Sequence, residues 1–148
     1  MADKLELKDL SVPDWLIVGA AVAALCSLFL PWYGVEYLGV DDAVTGMSSG
    51  FGLWGALLIA ATGALVLVAR TGRTVPVEVV LVASFLGTVL VAIRCLTIGS
   101  IDLGNGTSLS FGPRVGIVVA LLAGLIQGLG AVLLLRREAK TSASSTAG

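Results

Sequence analysis

The sequence predicts an all-α membrane protein, a bundle of four transmembrane helices with a small extracellular β-sheet. The first observation behind this prediction is composition, because hydrophobic residues make up 57% of the 148 residues and charged residues 13%. That charged share is about half of what soluble domains contain. The second is that four apolar stretches each reach about 20 residues, the length that crosses a bilayer core. The third is that most of the positive charge lies in the two terminal segments and in the turn between the second and third apolar stretches.

The predicted spans have recognisable ends. The S-x-x-D spacing of residues 11–14, with proline in the first turn, is typical of a helix start. The run LFLPWY closes the first span, with Pro31 in its last turn and Trp32 and Tyr33 anchoring its exit. Residues 70–76 (RTGRTVP) predict a tight turn between helices. The predicted spans are residues 15–33, 51–70, 77–98 and 114–135.

These spans are expected to form one membrane domain over residues 1–140, followed by a disordered tail at 141–148. Its two halves, about 11–70 and 74–136, resemble each other. The shared motifs are S/T-V-P at 11–13 and 74–76, G-x-x-x-L-G at 34–39 and 99–104, and F-G at 51–52 and 111–112. We interpret them as an internal duplication of two transmembrane hairpins, the alternative being chance similarity between apolar segments.

Positive charge predicts which side of the membrane each connection faces. Seven of the nine cations lie before the first span, between the second and third, or after the fourth: Lys4, Lys8, Arg70, Arg73, Arg136, Arg137 and Lys140. Because cytoplasmic segments are rich in Lys and Arg, we expect a multi-pass protein of the plasma (cytoplasmic) membrane with both termini in the cytoplasm. The outer loops then carry the acids Glu36, Asp41, Asp42 and Asp102.

The outer loops also carry strand signals. Asn105-Gly106 lies between two short segments, and the second of them, 108–111, alternates polar and apolar residues. An Asn-Gly pair in this setting is the strongest short signal for a β-hairpin. Residues 34–40 (GVEYLGV) are a candidate for another strand. Together they predict the small sheet that caps the bundle.

Arg94 is the first candidate for a functional side chain. It is predicted about one turn inside the outer end of the third span, where a long cationic side chain can reach the headgroups. Its candidate partners are the acids of the outer loops, Glu36 and Asp102 among them. We favour a structural ion pair over a ligand-binding arginine, although charges inside spans often mark function.

A second candidate is a polar layer inside the bundle. Gln127, Thr62 and Ser84 lie at similar distances from the cytoplasmic ends of their spans, which places them at a common depth of roughly 10–12 Å. Such a layer usually means hydrogen bonds between helices. The alternative interpretation, a site through which a solute passes, is more specific and is less favoured.

Three further groups of residues have structural interpretations. Small residues recur every fourth position on the last span and predict close helix packing, within the chain or between copies: Gly116, Ala120, Gly124 and Gly128. Four aromatic residues are predicted interfacial anchors: Trp15, Trp32, Tyr33 and Trp54. Cys26 and Cys95 are expected to behave as small hydrophobic residues rather than as a disulfide.

Composition argues against several functional classes. The chain contains no histidine, so the commonest general base and metal ligand is missing. Its cysteines do not form a CxxC pair, and its net charge of −1 offers no basic surface for nucleic acid. No catalytic residue, cofactor or metal site is predicted.

The FLPW end of the first span, the acidic Gly-rich outer loops and the length together resemble small bacterial four-helix membrane proteins without assigned activity. Pro31-Trp32 followed by Gly52-Leu53-Trp54 is also similar to claudin-type tetraspans, a resemblance that implies a four-helix bundle with an extracellular sheet. The cysteine pair that claudins place after GLW is absent here. The resemblance therefore implies an architecture and no functional residues.

The leading functional hypothesis is a non-enzymatic integral membrane protein, a structural or accessory protein of the cell envelope. It would act through its outer loops or lipid-embedded faces on a second copy of itself or on a larger membrane protein. The alternative is a small transporter or channel formed by oligomerisation. The absence of an acidic residue deep within a predicted span weighs against a carboxylate proton relay.

Overall fold

The computed structural model describes residues 10–37, 40–72, 74–102 and 108–146, with side chains described at 10–34, 42–72, 74–99 and 111–141. These ranges contain four α-helices, five short strands and one 3₁₀ turn. In chain order they are α1 (Val12–Ser27), β1 (Pro31–Tyr37), β2 (Val40–Thr45), the 3₁₀ turn (Gly46–Ser48), α2 (Phe51–Arg70), α3 (Val77–Leu96), β3 (Ser100–Asp102), β4 (Ser108–Ser110), β5 (Gly112–Pro113) and α4 (Val115–Thr146).

Three of the helices are long and apolar enough to cross a membrane: α2, α3 and the stretch Val115–Thr141 of α4. The helix α1 is also apolar but has 16 residues. The predicted fold class is confirmed in this respect, as a mostly helical chain with four helices and a small sheet.

The helices form a ring in which α1 and α3 each pack against both α2 and α4. The helices α1 and α2 run antiparallel, since the start of α1 contacts the end of α2 through Asp14 and Arg70. The start of α1 also contacts the second half of α4 at Gly130, so α1 and α4 run antiparallel too. Close approach depends on small residues. A Cβ on Gly55 of α2 or on Gly87 of α3 would lie 2.8 or 2.9 Å from the other residue's carbonyl oxygen. These two backbones therefore touch directly, as small residues allow between membrane helices.

The strands lie at one end of the bundle, which we call the sheet end. There β2, β1 and β5 form an antiparallel three-stranded sheet, and β3 pairs separately with β4. The second pair lies on either side of Asn105-Gly106, and the segment 34–40 contributes to β1 and β2. Both strand predictions are confirmed. We call the opposite end, where α2 is connected to α3, the turn end.

The first helix ends earlier than predicted. It stops at Ser27, and residues 28–30 continue as tight turns in which each N–H donates to the carbonyl oxygen three residues back, at 3.1–3.2 Å. Pro31 then begins β1. The physical reason is that Pro31 cannot donate a helical hydrogen bond and disfavours helical geometry at Leu30. The prediction of helix over residues 28–33 is therefore wrong.

The last helix ends later than predicted. The predicted span ends at residue 135, whereas α4 continues to Thr146; disorder of the tail at 141–148 stays a prediction. After Arg137 the sequence contains Glu, Ala and Lys, and neither glycine nor proline occurs before Gly148. Because nothing in this stretch breaks a helix, the bonding pattern of α4 continues past the apolar segment.

Candidate functional site

The three residues of the predicted polar layer, Gln127, Thr62 and Ser84, are all fully buried, and Gln127 makes most of their hydrogen bonds between helices. The Gln127 side chain is fully buried on α4. Its Nε2 donates to the carbonyl oxygen of Ile59 at 2.8 Å and to that of Ile17 at 3.4 Å, and its Oε1 accepts a hydrogen bond from Ser84 Oγ at 3.2 Å. These three partners belong to α2, α1 and α3. One amide therefore connects α4 to every other helix of the bundle.

Thr62 belongs to this layer in a different way. It is fully buried, and its hydroxyl donates to the Ile59 carbonyl oxygen on its own helix at 2.7 Å. Gln127 and Thr62 thus share an acceptor without bonding to each other. Both N–H groups of the Gln127 amide and its oxygen are used within the protein, and a fully bonded group of this kind stabilises packing. This arrangement holds helices together and leaves no free polar atom of Gln127 for a ligand.

Trp32 closes the sheet end of the bundle. Its side chain is 0% exposed, and its indole Nε1 donates to the carbonyl oxygen of Ser27 at 2.7 Å. Three glycines, Gly46, Gly52 and Gly116, face the ring so closely that a Cβ on any of them would collide with it. The interpretation of Trp32 as an interfacial anchor is therefore wrong, because the chain turns into β1 and carries the ring inwards.

Arg94 lies in the last turn of α3, beside the sheet. Its guanidinium carbon is 4.6 Å from the centroid of the Tyr33 ring, which suits a cation–π contact. Tyr33 in turn meets Phe111 edge to face, with ring centroids 6.3 Å apart. The Arg94 Nε is buried and has no hydrogen-bond partner among the described residues. Arg94 is thus held between α3 and β1 by its hydrocarbon stem and Tyr33.

The predicted acidic partners of Arg94 cannot all be placed. The side chains of Glu36, Asp41 and Asp102 lie outside the described part of the structure, while that of Asp42 is described and exposed. The ion pair between Arg94 and an outer-loop acid stays a prediction.

An ion pair that the sequence did not predict lies at the turn end. Asp14 is fully buried, and Arg70 Nη2 lies 2.8 Å from its Oδ1 and 2.7 Å from its Oδ2. The backbone N–H and the hydroxyl of Ser11 also donate to Oδ2, at 2.8 and 2.7 Å. A carboxylate removed from water needs such partners. The S-x-x-D motif pointed to this cap, but only the antiparallel packing of α1 and α2 brings Arg70 to it.

The small-residue stripe on α4 is used mostly inside the bundle. Gly116 packs against the Trp32 ring, Ala120 is fully buried, and a Cβ on Gly124 would collide with Thr88 of α3. A Cβ on Gly128 would meet nothing within 4 Å. The first three residues therefore serve packing within the chain, and the fourth opens onto a groove between α3 and α4 that Phe85 and Leu125 border.

The other predicted anchors and the cysteines are at or near the surface. Trp15 is 50% exposed and Trp54 is 63% exposed, and they lie near the starts of α1 and α2, at opposite ends of the bundle. Tyr33 is half-buried under Arg94. Cys26 is exposed, Cys95 is half-buried, and both are free thiols.

In the described ranges, no group of three or more His, Cys, Asp or Glu side chains is placed to hold a metal ion. Comparison with protein-family models, with curated proteins and with solved structures found no match to this chain.

Proposed function

We propose that this chain is a non-enzymatic integral membrane protein with four spans, which acts as a structural or accessory component of the cell envelope. The observation that carries the proposal is the filled centre of the bundle. Ile17, Ile59, Ile117 and Gln127 are all fully buried there, and Gln127 is bonded to the other three helices. A centre packed in this way favours action through outer surfaces over passage of a solute along the axis.

The length of the first apolar segment supports a fourth span. The 16 residues of α1 cover about 24 Å at 1.5 Å per residue. Residues 28–30, in tight turns of the 3₁₀ kind, add about 6 Å at 2.0 Å per residue. The sum is about 30 Å, the thickness of a hydrocarbon core. The segment from Val12 to Leu30 is therefore long enough when its terminal turns are included.

The outer faces of the helices also support insertion in lipid. Phe85 and Val82 of α3 are 70% and 64% exposed, and Leu125 of α4 is 62% exposed. A continuous apolar surface of this kind is unfavourable in water and is expected where lipid covers it. The paired charge of Asp14 and Arg70 lies at the turn end, away from these faces.

The distribution of charge supports the orientation. Arg70 and the three cations after the apolar part of α4 all belong to the turn end: Arg136, Arg137 and Lys140. By the positive-inside rule this end faces the cytoplasm, together with both termini, and the sheet lies outside.

Each half of the chain has the order helix, paired strands, helix, which supports the proposed internal duplication.

The proposal is tested by reconstituting the purified protein into liposomes and measuring ion and solute flux. We expect no flux above that of empty liposomes, and copurification in mild detergent with a second copy or a larger membrane protein. Liposomes with the Gln127→Ala variant, or with the exposed-site control Thr71→Ala, should show the same background flux as empty liposomes. A saturable flux that Gln127→Ala abolishes and Thr71→Ala preserves would instead establish the oligomeric transporter or channel.

A further inference from the structure

A groove at the turn end combines positive charge with an apolar floor. It has a volume of about 330 Å³ and lies between the first turn of α1 and the end of the apolar part of α4. Its lining residues are Val12, Pro13, Leu133, Arg136, Arg137 and Lys140. We propose that this groove binds the headgroup and upper acyl region of an anionic phospholipid. The inference goes beyond the proposed function and rests on it for insertion of the helices in the membrane and for the leaflet that supplies the lipid.

The helical spacing of the lining residues puts the three cations on one face. Arg136, Arg137 and Lys140 follow Leu133 by three, four and seven positions, which is the spacing of neighbours on one side of an α-helix. All three cations are exposed. Glu138, the single acid of α4, lines a neighbouring cleft with Arg70 and with Arg137, which borders both the cleft and the groove. The groove therefore presents positive charge along one side.

The depth of the groove matches the layered chemistry of a phospholipid. From Leu133 to Lys140 the helix rises about 10 Å at 1.5 Å per residue, more than the thickness of one headgroup layer, about 5–7 Å. Leu133 is near the end of the apolar stretch, so the cations extend through the headgroup layer. A phosphate can then meet Arg136, Arg137 or Lys140 while glycerol and acyl carbons rest on Val12 and Leu133.

The floor of the groove is held in place by tight packing. A Cβ on Gly130 of α4 would lie 3.1 Å from the carbonyl oxygen of Pro13 and 2.8 Å from Ile17 Cγ1. The start of α1 thus lies directly against α4 at Gly130, six residues or nearly two turns before the first of the cations. Because the two walls are in backbone contact, the groove is a feature of the folded bundle and not of one mobile side chain.

The test measures lipid binding to the full chain in detergent by native mass spectrometry, with phosphatidylglycerol as the anionic probe and phosphatidylcholine as the neutral one. We expect tighter binding of phosphatidylglycerol. Each change among Arg136→Gln, Arg137→Gln and Lys140→Gln should weaken it about fivefold, the usual contribution of a cation near a charged surface. Equal binding of the two lipids by the unmodified chain would overturn the proposal.

A second variant distinguishes binding of the lipid in the groove from general electrostatic attraction between the cations and anionic lipid. Val12→Trp fills the groove without altering charge, because Val12 is 68% exposed on its rim. Val118→Trp places the same ring on the exposed face of α4 outside the groove and serves as the control. Val12→Trp alone should weaken binding of phosphatidylglycerol, and equal binding by the two variants would contradict the groove. Failure here would leave the flux and copurification results unaffected, so the two proposals fail separately.

Discussion

At the scale of single residues, Trp32 determines how the sheet end closes. Its indole fills the space between the three glycines that face it, and its N–H satisfies the carbonyl oxygen of Ser27 just where α1 ends. That carbonyl lacks the i+4 donor it would have inside a helix, and it accepts from the Leu30 N–H as well as from the Trp32 indole. Trp32 therefore contributes apolar packing and a hydrogen bond that ends α1.

Trp32→Ala should lower the free energy of unfolding by about 3–5 kcal/mol, because it leaves a ring-sized cavity in the core. The measurement is denaturant unfolding in detergent micelles followed by circular dichroism. Trp54→Ala is the matched control, since Trp54 is 63% exposed and its loss should change stability by less than about 0.5 kcal/mol. Equal unfolding of the two variants would show that Trp32 is not a core residue.

The sequence allowed some residues of the candidate sites to be predicted and not others. Gln127, Thr62 and Ser84 could be grouped because depth along a helix follows from counting residues. The burial of Trp32 could not be predicted, because it depends on glycines 14, 20 and 84 positions further along the chain, at Gly46, Gly52 and Gly116. The Asp14–Arg70 pair likewise depends on packing between α1 and α2.

At the scale of elements, the end of α1 and the stripe on α4 belong to one packing arrangement. Hydropathy alone continues the first span to Tyr33, but at Pro31 the chain enters the strand β1, which pairs with β2. Arg114 at the start of α4 donates its N–H to the Trp32 carbonyl oxygen at 2.8 Å. The strand β1 thus links the ends of α1 and α4, and the stripe begins where this link is made.

Two glycines of the stripe should respond oppositely to the same change. Gly116→Ala should cost about 1–3 kcal/mol, because overpacking of a filled core is unfavourable and the new Cβ would lie 2.5 Å from Trp32 Cδ1 and 2.8 Å from the Pro31 carbonyl oxygen. Gly128→Ala meets no atom within 4 Å and should stabilise α4 by about 0.5–1 kcal/mol through helix propensity. Unfolding in detergent measures both. Destabilisation by Gly128→Ala similar to that by Gly116→Ala would mean that the Gly128 face is covered.

At the scale of the whole molecule, charge and packing give the bundle two different ends. The turn end carries Arg136, Arg137, Lys140 and the Asp14–Arg70 pair, and the sheet end carries the strands, Arg94 and Arg114. Between them, side chains and one bonded amide fill the centre. In our account this polarity orients a four-span protein whose surfaces, and not its interior, meet its partners.

The central claim is that all four helices cross the membrane with both termini in the cytoplasm. The claim depends most on α1, because its 16 residues make it the shortest of the four helices. Cysteine labelling in intact cells with a membrane-impermeant maleimide tests it directly, in a background where Cys26→Ser and Cys95→Ser remove the native thiols. Single cysteines would replace Ala2, Met47, Thr71 and Thr141 in turn. We expect labelling of Met47→Cys in intact cells and of the other three only after permeabilisation. Labelling of Ala2→Cys in intact cells would show that α1 does not cross, and would contradict the account.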